Sequence, residues 1–261
     1  MGKVYTVVNQ KGGVGKTTTA INLGACLGEL GQRVLLIDLD PQANATSCLG
    51  VERAKLKQGT YEVLIGLQEP TACILHNPRF KLSLLPSTTN LAGAEIELID
   101  MPRRDARLRE VVQNLKDRYD YIFIDCPPSL GLLTLNGLVA ALDGVIIPVQ
   151  CEYLALEGLG MLTQTLQHVR GSLYSQLAIR GVLLTMFDGR TNLASDVVRE
   201  VRQYFSGLVF DTVIPRSVRL AEAPSFGMPI SIYAPESTGA KAYRQLAEEL
   251  LAADQSANSS K

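Results

Sequence analysis

The sequence contains few residues of the kinds that build disulfide frameworks or metal clusters. Its five cysteines are odd in number and include no C-x-x-C pair, and its two histidines, His76 and His168, are far apart. Neither a disulfide scaffold nor a zinc site is therefore expected. The sequence also lacks an apolar run approaching ~18 residues and a charged-then-apolar segment before its first strand. These absences predict a cytoplasmic protein without a membrane span.

The sequence also has no large excess of positive or negative charge. The 261 residues carry a formal net charge of −1, and the sequence pI is near 6.2. The chain as a whole has no attraction for nucleic acid, so any DNA contact needs a local basic patch, assembled from more than one subunit. With 46% hydrophobic and 20% charged residues, the length suits one large α/β domain. We expect that domain over residues 1–251 and a short flexible polar tail over residues 252–261.

The stretch KGGVGKTT at residues 11–18 is a variant of the phosphate-binding pattern G-x-x-x-x-G-K-[ST]. Its glycines let backbone N–H groups face phosphate oxygens, and the next helix offers its positive end. We expect Lys16 to reach the β- and γ-phosphates and the Thr17 hydroxyl to meet Mg²⁺. A strand over Val4 to Val8 and helical spacing over Thr17 to Leu30 favour this over a loop without a ligand. The predicted nucleotide-binding residues here are Lys11, Gly12, Gly13, Val14, Gly15, Lys16, Thr17 and Thr18.

Two further apolar strands end in carboxylates. The run RVLLIDLD leads to Asp38 and Asp40, which point to the same side of the chain. The run YDYIFID ends in Asp125, the second carboxylate that a magnesium shell needs in P-loop enzymes. Thr17, Asp38 and Asp125 are therefore the predicted metal-binding residues. For Asp40, capping of a helix that begins near Asn44 remains an alternative.

Strands and helices alternate along the remaining chain, and they are least distinct over residues 51–118. Such alternation predicts the α/β class: a mostly parallel sheet flanked by helices on both faces, with the site at the carboxyl ends of the strands. The predicted strands cover residues 81–85, 143–149, 179–186 and 212–214 (an edge), and the predicted helices cover 44–49, 60–67, 91–99, 104–115, 153–169, 192–205 and 239–251.

Three local features have ordinary interpretations. Cys126 is expected to be a packed small residue and not a nucleophile, because neither histidine is near it in sequence. The basic run from Arg103 to Arg109 is interrupted by Asp105, which is typical of the solvated face of a helix. The segment from Pro215 to Pro229 contains three prolines and is predicted to be a long loop, a type that is usually functional or disordered.

The sequence resembles the ParA/MinD family of ATPases, and most closely its ParA/Soj branch. The resemblance rests on five blocks in order: NQKGGVGKTT, DLDPQANAT, IDCPPS, CEYLALEGL and RLAEAPSFG. It implies a P-loop NTPase with a deviant Walker A motif, an ATP hydrolase that uses ATP and Mg²⁺. It further implies an ATP-dependent homodimer on nonspecific double-stranded DNA, a ParB/Spo0J-type partner, and nucleoid-associated chromosome or plasmid segregation.

The resemblance also implies roles for individual residues. Lys11 would reach across the dimer to the partner's nucleotide, and Asp40 would orient the attacking water, so the catalytic residues would be Lys11, Lys16 and Asp40. Pro215 and the loop from Phe187 to Asn192 would lie near the base. The arginines expected to contact DNA are Arg190, Arg216 and Arg219.

Several alternatives remain open at this stage. The arginines could simply pair with Glu222 and Asp211 on the surface. A MinD-like protein would share every ATPase motif but would need a basic amphipathic helix for the membrane, which residues 252–261 do not contain. An iron–sulfur relative would need interface cysteines, for which Cys126 and Cys151 are poor support. A cargo-positioning relative would use the same chemistry.

Overall fold

The computed structural model describes residues 2–153 and 155–259. Leu154, within the CEYLALEGL block, and Ser260 and Lys261, at the end of the predicted tail, lie outside the described residues, as does Met1. No helix in the described ranges combines the length and the apolar character that crossing a membrane requires.

One seven-stranded sheet organises the described chain, with the strand order β3-β4-β2-β5-β1-β6-β7. All neighbouring strands run parallel except β3, which pairs antiparallel with β4 at one edge. The sequences of the central strands β1, β2 and β5 are mostly apolar because helices cover both faces of the sheet there. The strands are β1 (Lys3–Val7), β2 (Val34–Asp38), β3 (Leu75–Asn77), β4 (Leu82–Leu85), β5 (Tyr121–Asp125), β6 (Gly144–Gln150) and β7 (Ile179–Thr185).

Alternate side chains of each central strand enter two separate cores, as the two-residue period of a strand requires. In β5, Ile122 and Ile124 face the core that includes residues of helices α5 to α9. Tyr121 and Phe123 face the opposite core, with α1 and α12. The helices are α1 (Lys16–Glu29), α2 (Asn44–Cys48), α3 (Thr60–Leu64), α4 (Pro70–Cys73), α5 (Leu91–Glu97), α6 (Arg107–Leu115), α7 (Leu132–Ala140), α8 (Ala155–Ser172), α9 (Asn192–Tyr204), α10 (Val218–Glu222), α11 (Ile230–Tyr233) and α12 (Thr238–Ser259).

The predicted fold class is confirmed, and several element predictions need correction. The segment predicted as an edge strand, residues 212–214, is not a strand: it runs beside β7, where Ile214 N donates to Leu184 O. The segment predicted as a long loop contains α10 and a 3-10 turn over Ala223–Phe226. The last helix continues to Ser259 instead of ending at Leu251, so most of the predicted tail is helical. Helix α7 was not predicted, because its mainly apolar sequence lacks helical periodicity.

The basic run around α6 is only partly solvated. Arg103 and Arg104 precede the helix and are exposed, as predicted. Arg107 and Arg109, however, are half-buried: the Arg107 guanidinium donates to Leu64 O at 3.0 Å, and that of Arg109 lies 4.2 Å above the Tyr174 ring. These two arginines pack between elements and are not free for a ligand.

Candidate functional site

The phosphate-loop sequence connects the central strand β1 to α1. The chain adopts positive φ at Gly13 (75°) and Gly15 (89°), a conformation that residues with a Cβ rarely adopt. Between them, Val14 is buried, and its carbonyl accepts a hydrogen bond from the Thr185 hydroxyl at 2.9 Å. The loop is therefore anchored to the carboxyl end of β7, while Gly12 and Gly13 face open space.

The two lysines of the loop differ in their surroundings. Lys16 is only 7% exposed, and its ammonium donates to Lys11 O at 3.1 Å. Burial lowers the pKa of Lys16, which the negative charge of Asp125 opposes. The ammonium group of Lys11 makes no hydrogen bond or ion pair with any described residue. Lys16 thus points inward toward the carboxylates, whereas the side chain of Lys11 is free to meet another molecule.

Asp38 and Asp125 end neighbouring parallel strands and are register partners. Both are fully buried. Burial raises the pKa of Asp38 to about 6. Burial first, and then the charge of Asp38, raise the pKa of Asp125 well above its usual range. Two acidic side chains thus share one dry edge of the sheet, an arrangement typical of functional sites.

The Asp125 carboxylate has buried oxygens that no described residue satisfies. Neither oxygen has a hydrogen-bond partner, although such groups are nearly always paired in folded proteins. The Thr17 hydroxyl lies near enough to lower the pKa of Asp125 without making a well-formed hydrogen bond. No group of three His, Cys, Asp or Glu side chains converges among the described residues. The carboxylate oxygens of Asp125 and the nearby Thr17 hydroxyl are the oxygen donors that a hard cation prefers, and such a cation can keep several waters with few protein ligands.

Asp40 follows β2 and lines the cleft in front of the phosphate loop. Its carboxylate accepts from Gln42 N at 2.9 Å and from Asn44 Nδ2 at 3.1 Å. It does not cap α2, whose N-cap is Ala43 with no side-chain hydrogen bond. The capping alternative for Asp40 is therefore wrong. The side chain instead organises the turn that borders the cleft.

Two adjoining cavities lie at the carboxyl end of the sheet. The first, of about 360 Å³, is lined by Gly12, Gly13, Gly15, Lys16, Thr17, Thr18 and Asp40 from the predicted set. The second, of about 400 Å³, includes Pro215 and shares Gly15, Thr18, Met186 and Pro224 with the first. The lining residues of the first cavity that were not predicted are Ile21, Asn22, Gln42, Asn44, Cys48, Pro128, Met186, Ala223, Pro224 and Met228. Of these, Gln42, Asn44, Pro128, Ala223 and Pro224 belong to the quoted sequence blocks.

The three candidate DNA-binding arginines lie on two segments that touch. Phe187 and Pro215 form an isolated parallel bridge, and Arg216 N donates to Phe187 O at 2.9 Å. Arg190 follows the first segment, and Arg219 lies on α10 just after the second. Pro215 lines the second cavity, so the arginine segments border the same space as the phosphate loop.

Each of these arginines has a carboxylate partner on the surface. Arg190 pairs with Asp188 at 2.6 Å, Arg216 with Glu152 at 3.0 Å, and Arg219 with Glu222 at 2.9 Å. Hydrogen bonds from Arg190 lower the pKa of Asp188 to about 2. The expected pairing with Glu222 is present. Asp211 instead uses its backbone: its carbonyl accepts a hydrogen bond from the Arg202 side chain, and its N–H donates to the Glu249 carboxylate.

The segment after Asp40 and the segment after Arg219 meet at two glycines. Gly50 has φ 74° and Gly227 has φ 64°. A Cβ on Gly227 would lie 2.6 Å from the Cα of Gly50. Only two residues without side chains allow the backbones to come this close. The turn that follows α2 is thereby packed against the turn that follows α10.

The chain matches a family model described as AAA domain over residues 2–179. It is 54% identical over 252 residues to the sporulation initiation inhibitor protein Soj of Bacillus subtilis, covering 97% of this chain and 99% of that protein. It is 50% identical over 255 residues to the chromosome partitioning protein ParA of Myxococcus xanthus, covering 97% of this chain and 89% of that one.

A solved structure extends the likeness to three dimensions. The cobyrinic acid a,c-diamide synthase of Mycobacterium smegmatis, with a bound ATP analogue and magnesium, superposes with a TM-score of 0.85 at 41% identity. The alignment covers 96% of this chain and 95% of that one. The likeness thus spans the phosphate loop, both carboxylate strands and the arginine segments.

Proposed function

The chain belongs to the Soj/ParA family of chromosome-partitioning ATPases, and we propose that it drives chromosome or plasmid segregation as an ATP-dependent, DNA-bound dimer. It is a P-loop ATP hydrolase that uses Mg²⁺ and forms ADP and phosphate. The observation that carries the segregation proposal is the arginine cluster on the border of the nucleotide cavities. A cation-rich segment at that place can respond to the nucleotide.

The phosphates of ATP are bound by the loop from Lys11 to Thr18. Positive φ at Gly13 and Gly15 supports inward-facing N–H groups, and α1 begins at once after them, which favours an anion at its start. The buried Lys16 ammonium supplies charge to the β- and γ-phosphates. The base enters the second cavity, against Pro215.

Magnesium fits the edge formed by Asp38 and Asp125, because the buried oxygens of Asp125 have no other partner. Thr17, Asp38 and Asp125 would hold it, directly or through water. When bound, the ion neutralises charge on the β- and γ-phosphates. The carboxylates are pre-positioned by their strands, so little reorganisation is needed when the nucleotide arrives.

Hydrolysis depends on the position of Asp40 at the open side of the cleft. Its carboxylate is held by Gln42 and Asn44 and orients the attacking water. Lys11, whose ammonium makes no hydrogen bond or ion pair with any described residue, reaches the nucleotide of a second subunit. A Cβ at Gly12 would meet no atom of its own chain within 4 Å. Gly12 therefore faces open space, where a second subunit can approach closely.

DNA binding uses Arg190, Arg216 and Arg219 of both subunits. Their ion pairs are exposed and contribute little to stability, so phosphates can replace the carboxylates. One subunit offers three paired cations and binds weakly, whereas a dimer doubles the number of phosphate contacts. Such binding ignores sequence and requires ATP. A ParB/Spo0J-type partner stimulates hydrolysis, and hydrolysis releases the dimer from the DNA. The protein is then cytoplasmic and associated with the nucleoid.

The DNA proposal is tested with Arg219→Ala in an Asp40→Ala background, in which the ATP dimer persists. The matched control is Arg199→Ala, because Arg199 has the same kind of exposed i,i+3 ion pair, with Asp196, but lies on α9. We expect Arg219→Ala to lose DNA affinity and to reduce the slope of log affinity against log salt by about 2 per dimer. The measurement is fluorescence anisotropy of a labelled duplex at several salt concentrations.

Two results would contradict this proposal. DNA affinity that is equal with and without ATP would show that DNA binding does not require the ATP dimer. Unchanged binding by Arg219→Ala would move the function toward positioning of a different cargo.

The dimer is tested separately with Gly12→Val. A Cβ at this position would meet no atom of its own subunit within 4 Å, and the branched side chain projects where two phosphate loops would approach. We expect normal ATP affinity and no dimer in sedimentation velocity with ATP. A normal dimer would show that Gly12 is not at the interface.

A further inference from the structure

Thr46, a residue of α2, is bound directly to the Asp38 carboxylate. It is fully buried, and both its backbone N, at 2.8 Å, and its hydroxyl, at 2.6 Å, donate to Asp38 Oδ2. Ser87 N in turn donates to the Thr46 hydroxyl oxygen at 2.9 Å. The Thr46 hydroxyl therefore stands between the loop after β4 and the carboxylate at the end of β2.

The direction of these hydrogen bonds follows from the chemistry of a hydroxyl group. A threonine hydroxyl has one hydrogen to donate. Ser87 N can only donate, so it occupies a lone pair of the Thr46 oxygen and leaves the hydroxyl hydrogen for Asp38. The hydroxyl is consequently fixed as a donor to the carboxylate, and a hydrogen bond to an ionised acceptor is among the stronger kinds.

The two oxygens of Asp38 are held unequally. Oδ2 accepts the two short hydrogen bonds from Thr46, whereas Oδ1 accepts only one at 3.2 Å, from Asp40 N. The terminal torsion of an aspartate is otherwise broad. Thr46 therefore selects one orientation of the carboxylate and leaves Oδ1 as the less engaged oxygen.

A neighbouring contact extends this arrangement to Asp40. The Ser87 hydroxyl donates to Asp40 O at 2.7 Å, and Ser87 is fully buried. The same residue thus fixes the Thr46 hydroxyl and the backbone of the water-orienting aspartate. The Asp38 carboxylate and the Asp40 backbone are thus held by residues outside the phosphate loop.

We propose that Thr46 is a positioning residue that orients Asp38 toward the magnesium of the bound nucleotide. This inference rests on the proposed Mg²⁺-ATP site and adds a residue to it that none of the ligand predictions contains. Thr46 touches neither nucleotide nor ion: it acts through Asp38. Its loss should weaken the contribution of magnesium to nucleotide binding and leave binding by the loop itself intact.

The test compares the affinity of a fluorescent ADP analogue in Mg²⁺ with its affinity in EDTA, in variants of the full chain. Thr46→Val keeps the shape and the backbone donor but removes the hydroxyl, so we expect the Mg²⁺ enhancement to fall roughly tenfold. Thr46→Ser restores the donor and should stay within about twofold of the wild type. If the Thr46→Val protein does not fold, the Mg²⁺ enhancement is measured in Thr46→Ala, for which we expect the same loss.

Thr6→Val is the matched control. Thr6 is equally buried, and its hydroxyl donates to a backbone carbonyl, Gly137 O, at 2.6 Å. We expect its Mg²⁺ enhancement to match the wild type. In ATP hydrolysis, Thr46→Val should need more Mg²⁺ for half-maximal rate, with a smaller change in kcat at saturating Mg²⁺.

The outcomes separate this inference from the proposed function. An unchanged Mg²⁺ enhancement in Thr46→Val and Thr46→Ala, or an equal loss in Thr6→Val, would overturn the role of Thr46 while leaving the nucleotide site standing. A wild-type protein whose ADP affinity does not respond to Mg²⁺ would overturn the metal site and this inference together.

Discussion

The two charged regions of this molecule are organised in opposite ways. At the cleft, Asp38 and Asp125 are fully buried, and the oxygens of Asp125 have no partner among the described residues. In the arginine segments, each charge is exposed and already paired, for example Arg219 with Glu222. Burying an unpaired charge is costly, whereas an exposed ion pair contributes little.

The difference indicates how each region can work. Two buried carboxylates lower the stability of the free protein, and a bound cation removes this cost by neutralising them. Such a site favours tight, geometrically defined binding. Exposed ion pairs can exchange partners at little cost, so they favour weak binding that depends on the number of copies. The contact of Gly50 with Gly227 joins the segments that follow these two regions. The predictions below test each region and the contact between them.

The largest effect is expected for Lys16→Ala. Lys16 is the buried cation beside the carboxylates, and its charge is needed for the β- and γ-phosphates. Hydrogen bonds to charged groups are worth about 1.5–3 kcal/mol, so the loss of several should reduce ATP affinity by about 100-fold or more. Calorimetric titration with ATP measures this, with Lys3→Ala as the control, because Lys3 pairs with Asp143 at the opposite end of β1 from the phosphate loop. Unchanged affinity in Lys16→Ala would mean that the phosphates lie elsewhere.

The next effect concerns hydrolysis without loss of binding. Asp40→Ala removes the water-orienting carboxylate but leaves the phosphate loop intact. We expect turnover to fall about 100-fold, within the usual range for loss of a general base or positioning group. Steady-state phosphate release and sizing with ATP should show slow turnover and a persistent dimer. Undiminished turnover would reject Asp40 as the group that orients water.

A moderate effect is expected where the two regions meet. In Gly227→Ala, the new Cβ would lie 2.6 Å from Gly50 Cα at positive φ, so the two turns must separate. We expect a loss of about 1–2 kcal/mol of stability and a weaker dependence of DNA binding on ATP. Gly207→Ala is the control, because Gly207 has φ 75° and a Cβ there would meet no atom within 4 Å. If both variants behave alike, the contact does not couple the regions.

The smallest effect is a gain in stability. Because the pKa of Asp125 is higher in the folded protein than its ordinary value of 3.8, the folded state binds the proton more tightly than the unfolded state. The ionised carboxylate therefore costs stability as pH rises above that value. We expect Asp125→Asn to unfold at higher urea concentration than the wild type at pH 8, by about 0.5–2 kcal/mol. The difference should vanish near pH 4, and a difference that is independent of pH would contradict the assignment.

The sequence patterns predicted the fold class because long apolar runs alternate with helical periodicity, and such runs form parallel strands. They failed where the local signal was weak or ambiguous. The apolar α7 has no periodicity, and residues 212–214 resemble a strand but do not form one, although Ile214 N donates to Leu184 O of β7. The three prolines between Pro215 and Pro229 favoured a loop, but the 3-10 turn there packs against α2, and α10 packs against that turn and α11.

The sequence by itself determined the chemistry of this protein: the glycine spacing of the phosphate loop, the lysine within it, and the aspartates at the ends of two strands. These are local features, because each depends on residues that are close together in the chain. Only the tertiary structure decided which groups meet. The register of β2 with β5 brings Asp38 beside Asp125, and the bridge at Pro215 brings Arg190 toward Arg216. Ser87 became part of the site because the order of strands in the sheet places β4 next to β2, a long-range pairing that no local pattern encodes.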